Sequence, residues 1–186
     1  MGQKIVVFDI DETLCFTYPN SEYMGAISRG KRIRYTLEDR SFLWHQFCDC
    51  RQLIEDINDL GARIAFFSAG SEERNVTVLE ALMDRLDMQK FPYEVFSGQH
   101  MKRRGLSDYG KKDLSVVSKD LDDVILVDDS EWVWIEGQGT FVQSIPLYAD
   151  TIRKLPLQKR GVYLNYAMSH LHAQIIPLLL KSGEAA

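Results

Sequence analysis

Asp9-Ile10-Asp11-Glu12-Thr13 places two carboxylates two residues apart, directly behind the apolar run Ile5-Val6-Val7-Phe8. Both acids can leave one strand end in different roles. The chemistry that asks for such a pair is phosphoryl transfer. Phosphate monoesters hydrolyse extremely slowly in water, so a nucleophile, a proton donor and an offset for phosphate charge must be brought together. Asp9 is the candidate nucleophile, forming an aspartyl-phosphate that water then cleaves, and Asp11 is the candidate acid/base beside it. An anionic phosphate approaches two carboxylates only across a cation, and hard oxygen ligands suit Mg2+.

The other parts of such a site stand further along the chain. Ser68 follows Ile64-Ala65-Phe66-Phe67 and can donate a hydrogen bond to a phosphate oxygen. Lys112 can balance the charge of nucleophile and phosphate, and Asp128-Asp129, after Val124-Ile125-Leu126-Val127, can complete a metal site. Each residue alone has a plainer reading: a serine or aspartate capping a turn, a solvated lysine. Three apolar strands ending in polar groups outweigh those readings. A calcium-loop reading of D-x-D-x-T fails, because Leu14 holds the position that needs glycine and Asn20 the one that needs glutamate. His170 and His172 point to different sides of a helix, and the four histidines read as structural or exposed. Trp132 and Trp134 flank Val133 and are expected to pack beneath the last helix, with the rim of the site as the other placement.

Positioning these groups takes a parallel sheet. The short continuous apolar runs read as strands buried on both faces, with weaker strands at Tyr93–Phe96 and Thr140–Val142. Leu43, Phe47, Cys50, Ile54 and Ile57 recur at helical spacing and predict a helix from about Ser41 to a cap at Gly61. Val76, Leu79, Leu82 and Leu86 predict a second helix behind Ser71 as N-cap, with Glu72 and Glu73 in its first turn. Ala26 to Arg34 reads as a hairpin turning at Arg29-Gly30-Lys31. Tyr163 to about Ile176 reads as an amphipathic helix, within a C-terminal helix taken to about residue 181, and Pro177 interrupts the apolar run Ile175 to Leu180. Strands alternating with helices give an α/β fold whose ligands bind beyond the carboxyl ends of the strands.

The four parts V-V-F-D-I-D-E-T-L, A-F-F-S-A-G, K-K-D-L and I-L-V-D-D-S resemble the aspartate-based phosphatases of the haloacid dehalogenase superfamily. Lys112-Asp113-Leu114, followed by Asp120-Leu121-Asp122-Asp123-Val124 and the strand ending at Asp128, is most similar to the NLI-interacting-factor-like and polymerase C-terminal-domain phosphatase group. The magnesium-dependent phosphatase family is second. The resemblance implies a Rossmann-like three-layer fold around a central parallel sheet. It implies Asp9 as nucleophile, Asp11 as acid/base, and Mg2+ held by Asp9, the Asp11 carbonyl and Asp128 or Asp129. Thr13 would orient the loop at the substrate site, while Ser68 and Lys112 hold phosphate.

Residues 14–67 and 97–111 leave room for a flap at about residues 17–40 but for no globular cap, so one domain with an open site is expected. An open site suits a phosphate on a protein or peptide better than one on a metabolite. Arg29, Lys31, Arg32 and Arg34 could meet such a peptide or could simply guard a sheet edge. A small-molecule or nucleic-acid-end phosphatase is the alternative, and a non-catalytic phospho-dependent binding module is the alternative of another class. The net charge of −5 gives no general attraction to nucleic acid, and none is expected as a partner. Three cysteines without a C-x-x-C pair point to a reducing, intracellular setting, taken as the cytoplasm. No run reaches the ~18 apolar residues of a membrane span. The apolar stretch at Ile175–Leu180 is a candidate docking segment.

Overall fold

The computed structural model describes residues 2–19, 32–36, 42–103 and 110–181. Five strands form a parallel sheet: β1 (Ile5–Phe8), β5 (Arg63–Phe67), β6 (Glu94–Phe96), β9 (Val124–Asp128) and β10 (Thr140–Gln143). They lie in the order β10-β9-β1-β5-β6. The chain runs outward from β1 to β5 and β6, then returns to lay β9 on the other side of β1. The central strand is therefore the topological switch point, where ligands of such sheets bind. Register aligns the ends: Phe8 pairs with both Phe66 and Val127, so Asp9, Ser68 and Asp128-Asp129 emerge at the same edge.

Both sheet faces are covered, as the unbroken apolar strands require. On one face Val6, Phe8, Ile64, Phe66, Ile125 and Val127 share a core with three helices, α1 (Arg51–Asp59), α2 (Glu72–Arg85) and α4 (Leu157–Lys181). On the other face Ile5, Val7, Ala65, Phe67, Val124 and Leu126 meet a thinner layer of turns through Leu114 and Val117, with Trp134 and Phe141 alongside. Together these form the three layers of a Rossmann-like fold. Ser71 caps α2 by accepting from the Arg74 amide, and Gly61, at φ 78°, takes the left-handed position that ends α1. The short α3 (Ala149–Lys154) precedes α4.

Three expectations are corrected. The helix expected from Ser41 is a strand, β4 (Phe42–Phe47), followed by α1. Leu43 and Phe47 are four apart, a spacing that a strand also satisfies, and His45 and Phe47 are both buried, which is strand alternation. β4 is the middle of an antiparallel sheet between β2 (Cys15–Pro19) and β3 (Arg32–Thr36). The hairpin expected over Ala26–Arg34 falls largely outside the described residues, Arg29 and Lys31 among them. Its described part, Arg32–Arg34, belongs to β3 and pairs with β4. The C-terminal helix begins earlier than Tyr163 and runs through Pro177, whose ring sits on the exposed side while Ile175 and Leu179 stay buried. Neither tryptophan packs beneath α4: Trp134 stacks on Phe141 at 5.6 Å on the opposite face, and Trp132 is exposed at the rim of the cavity over the acids, the other placement expected. Leu180 remains exposed in the apolar C-terminal stretch. No helix among the described residues is long and apolar enough to cross a membrane.

Proline removes one helical hydrogen bond and crowds the preceding turn, a cost of about 3 kcal/mol in a regular helix. Pro177→Ala is expected to raise the urea midpoint, with a gain of about 1–3 kcal/mol. An unchanged or lower midpoint would mean that the bend at Pro177 is needed to seat Ile175 and Leu179.

Candidate active site

Asp9 continues the central ladder by one bond, its amide donating to the Val127 carbonyl at 2.8 Å. The chain then coils on itself. The amides of Leu14 and Cys15 both donate to the Ile10 carbonyl, and Glu12 takes a left-handed conformation at φ 62°. Two ties hold this loop from outside: the Leu147 amide donates to the Glu12 carbonyl at 2.7 Å, and the Thr13 and Ser144 hydroxyls are hydrogen-bonded at 3.1 Å. Thr13 is fully buried, so its hydroxyl fastens the loop rather than facing a ligand.

Lys112 comes from a two-stranded ribbon, β7 (Met101–Arg103) with β8 (Gly110–Lys112), that the sequence did not announce. Alternation along β8 separates the two lysines. Lys111 donates to the Trp134 carbonyl, while Lys112 is turned inward and 2% exposed. Its ammonium donates to Asp9 Oδ1 at 2.6 Å and Asp128 Oδ2 at 2.5 Å, and lies 5.8 Å from the Phe67 ring centre. Burial works against its charge, but Asp9 and Asp128 outweigh that and raise its pKa. Asp128 uses its other oxygen to accept from the Ser130 amide.

Asp9, Asp128 and Asp129 can bring one oxygen each to within 4.8 Å of one another. Three carboxylates and one ammonium leave a deficit of two positive charges. Burial pushes Asp9 up to about 8, with Lys112 opposing and Asp128 adding to the rise. Burial, then the charges of Asp128 and Glu12, push Asp129 up to about 6. Such a cluster resists full ionisation on its own, and a hard divalent cation supplies the missing charge with the ligands it prefers. The residues therefore fit Mg2+. With both Asp128 oxygens engaged by Lys112 and Ser130, Asp129 is the better placed of the two acids to reach a cation.

Asp11 stands apart from that cluster. Ser68 donates to its Oδ2 at 3.2 Å, and its Oδ1 is held by the guanidinium of Arg74. Arg74 in turn meets His45 Nε2 at 2.9 Å and donates to Asn75 Oδ1 at 3.0 Å. Burial first, then the neighbouring Arg74 charge, lower the His45 pKa to about 4. Arg74 and His45 are functional candidates that the sequence reading passed over. The available signal was a cation at the third position of α2, where the helix dipole disfavours it and another partner must hold it.

A cavity of about 530 Å3 opens over these groups, lined by Asp9, Asp11, Lys112 and Asp129 and rimmed by Trp132 and Tyr148. A second groove, of about 630 Å3, is lined by α1 and α4 residues, but its Arg51 and Glu55 pair with each other at 2.8 Å. Among the described residues the only three-acid cluster able to hold a metal is the one at Asp9.

A protein-family model of NLI interacting factor-like phosphatases matches residues 4–172. Two solved structures of the RNA polymerase II CTD phosphatase Fcp1 share the fold. The fission yeast protein, bound to beryllium fluoride, gives a TM-score of 0.59 at 15% identity, over 98% of this chain and 55% of that one. Another Fcp1 structure gives 0.58 at 16% identity, over 92% of this chain and 52% of that one. The chain thus spans about half the length of these solved relatives. No curated protein matches.

Two outcomes test the electrostatics. Lys112→Met leaves Asp9 and Asp128 buried without their cation and is expected to cost about 3–5 kcal/mol by urea denaturation. A loss below about 1 kcal/mol would show that the pair is solvated rather than buried. A cation must displace the protons that Asp9 and Asp129 hold with pKa values of about 8 and 6, so Mg2+ affinity should rise from pH 5.5 to 8 and level off above. Calorimetric titrations giving one affinity across that range would count against the three-acid site.

Proposed function

Since the chain belongs to the NLI interacting factor-like phosphatase family, of the haloacid dehalogenase superfamily, we propose that it is a Mg2+-dependent phosphomonoester hydrolase acting on phosphorylated protein or peptide. One observation carries the reading. Asp9 lines the cavity, its Oδ1 on buried Lys112, within reach of two further acids that together call for a divalent cation. Mg2+, bound through Asp9, the Asp11 carbonyl and Asp129, would screen the acids and draw in the phosphate oxygens.

The chain's own groups divide the remaining work. A carboxylate oxygen of Asp9 attacks phosphorus as the bond to the leaving oxygen breaks, and Asp11 gives that oxygen a proton. Lys112 and the Ser68 hydroxyl take up phosphate charge. In the second half Asp11 takes a proton from the water that cleaves the aspartyl-phosphate. Thr13 acts from behind, fixing the loop on which both acids stand. The peptide substrate is favoured by the exposed Trp132 and Tyr148 on the rim, which offer flat apolar surface beside the phosphate position. Phosphotyrosine and phosphoserine or phosphothreonine both remain candidates, and the Fcp1 likeness adds only that one relative of this fold dephosphorylates a polymerase tail.

Asp9→Asn is expected to reduce turnover at least about a thousandfold with the melting temperature kept or raised. Chelating the divalent cation should abolish turnover, and returning Mg2+ should restore it. A phosphopeptide panel run beside small metabolite phosphates reads the substrate class. Metabolites turned over orders of magnitude faster than every peptide would overturn the peptide assignment while leaving the hydrolase reading in place.

A further inference from the structure

We infer that Arg74, anchored by His45 and Asn75, is a positioning residue that holds the Asp11 carboxylate by Oδ1 and leaves Oδ2, the oxygen beside Ser68, to exchange a proton with the leaving group. The inference rests on the reading of Asp11 as the acid/base.

The argument follows from which groups can donate. A guanidinium carries only N–H donors, so whatever Arg74 touches must accept. Asp11 Oδ1 accepts from it, Asn75 Oδ1 accepts at 3.0 Å, and His45 Nε2 at 2.9 Å must accept as well. The ring of His45 is therefore neutral, with its proton on Nδ1, in keeping with its lowered pKa. Asn75 is fixed in its turn, its amide donating to the Ser68 and Gly70 carbonyls and to Ser97 Oγ, each at 3.3 Å. Arg74 is thus held from the flap through β4 and from the first turns of α2, with a side chain only 14% exposed.

Asp11 feels the result. Its Oδ1 accepts from a group that has only donors, so a proton there would compete with that hydrogen bond, whereas with the proton on Oδ2 the Oδ1 atom still accepts from Arg74. Its Oδ2 faces the Ser68 hydroxyl at 3.2 Å, which donates to the ionised acid and can accept from the protonated one. Oδ2, the oxygen that Arg74 does not hold, is therefore the one placed to pass a proton. As the Asp9–phosphorus bond forms and the bond to the leaving oxygen breaks, that proton passes from Oδ2 to the departing alkoxide. Arg74 then stabilises the carboxylate left behind. The arrangement matters most for leaving groups too basic to depart without a proton.

The test is a leaving-group series on the full chain with saturating Mg2+: 2,4-dinitrophenyl, 4-nitrophenyl and phenyl phosphate. The parameter is kcat/KM, which ends with departure of the leaving group. Arg74→Gln should lower kcat/KM for phenyl phosphate at least about tenfold more than for dinitrophenyl phosphate, whose leaving group needs no acid. His45→Leu should show the same differential loss, and His45→Gln, which restores an acceptor, should recover most of it. A parallel loss across the series would make Arg74 a phosphate-binding or purely structural residue and overturn the inference, as would no loss at all. Melting curves identify a variant that fails to fold, in which case Arg74→Lys carries the same comparison. Asp11→Asn separates the two readings. A steep dependence there with a flat one in Arg74→Gln rejects only the positioning role, whereas a flat dependence in Asp11→Asn rejects Asp11 as the acid.

Discussion

A single buried ammonium between carboxylates governs this molecule. Lys112 reaches Asp9 and Asp128 at 2.6 and 2.5 Å in a setting almost without solvent. Two anions brought so close would repel strongly without it, and one ammonium cannot neutralise Asp129 as well. The remainder of the fold holds that unfavourable grouping in place. The sheet aligns the strand ends, the helices cover one face, and a thin layer of turns on the other admits the ribbon that delivers the lysine. The two charges still missing set the kind of ligand that completes the site.

The acids divide by environment into two circuits. Asp9, Asp128 and Asp129 share Lys112, and among the described residues no second cation is paired with them. Asp11 is instead tied to Arg74 and Ser68. Two carboxylates two residues apart thereby acquire separate electrostatic surroundings, which is how one strand end can supply both an attacking group and a proton carrier. The loop between them, coiled around the Ile10 carbonyl, turns sequence neighbours into chemical opposites.

Much of this was legible in the chain. Four-residue apolar runs ending in Asp9, Ser68 and Asp128 read as interior parallel strands, and the structure adds the register that aligns their ends. The inward turn of Lys112 was legible only through its neighbours Asp113 and Leu114, because β8 is too short to show periodicity. Residues 42–47 misled because apolar positions four apart serve a strand as well as a helix. Their aromatic content, Phe42, Trp44 and Phe47, was the discriminating sign. Arg74 and His45 were overlooked because their importance is relational: one lies on a helix, the other on a flap strand, and nothing local marks their meeting at Asp11.

The tie between Thr13 and Ser144 joins positions 131 residues apart, and Lys112 meets Asp9 across 103. Closing such long loops is entropically costly until most of the chain is committed, so these contacts belong to the late stages of folding. During synthesis the first acids emerge long before the last, and the mutual repulsion is deferred until the packed sheet can bear it. The acid cluster thus forms only when distant parts of the chain have met, and an incompletely folded chain carries its acids without the site they form.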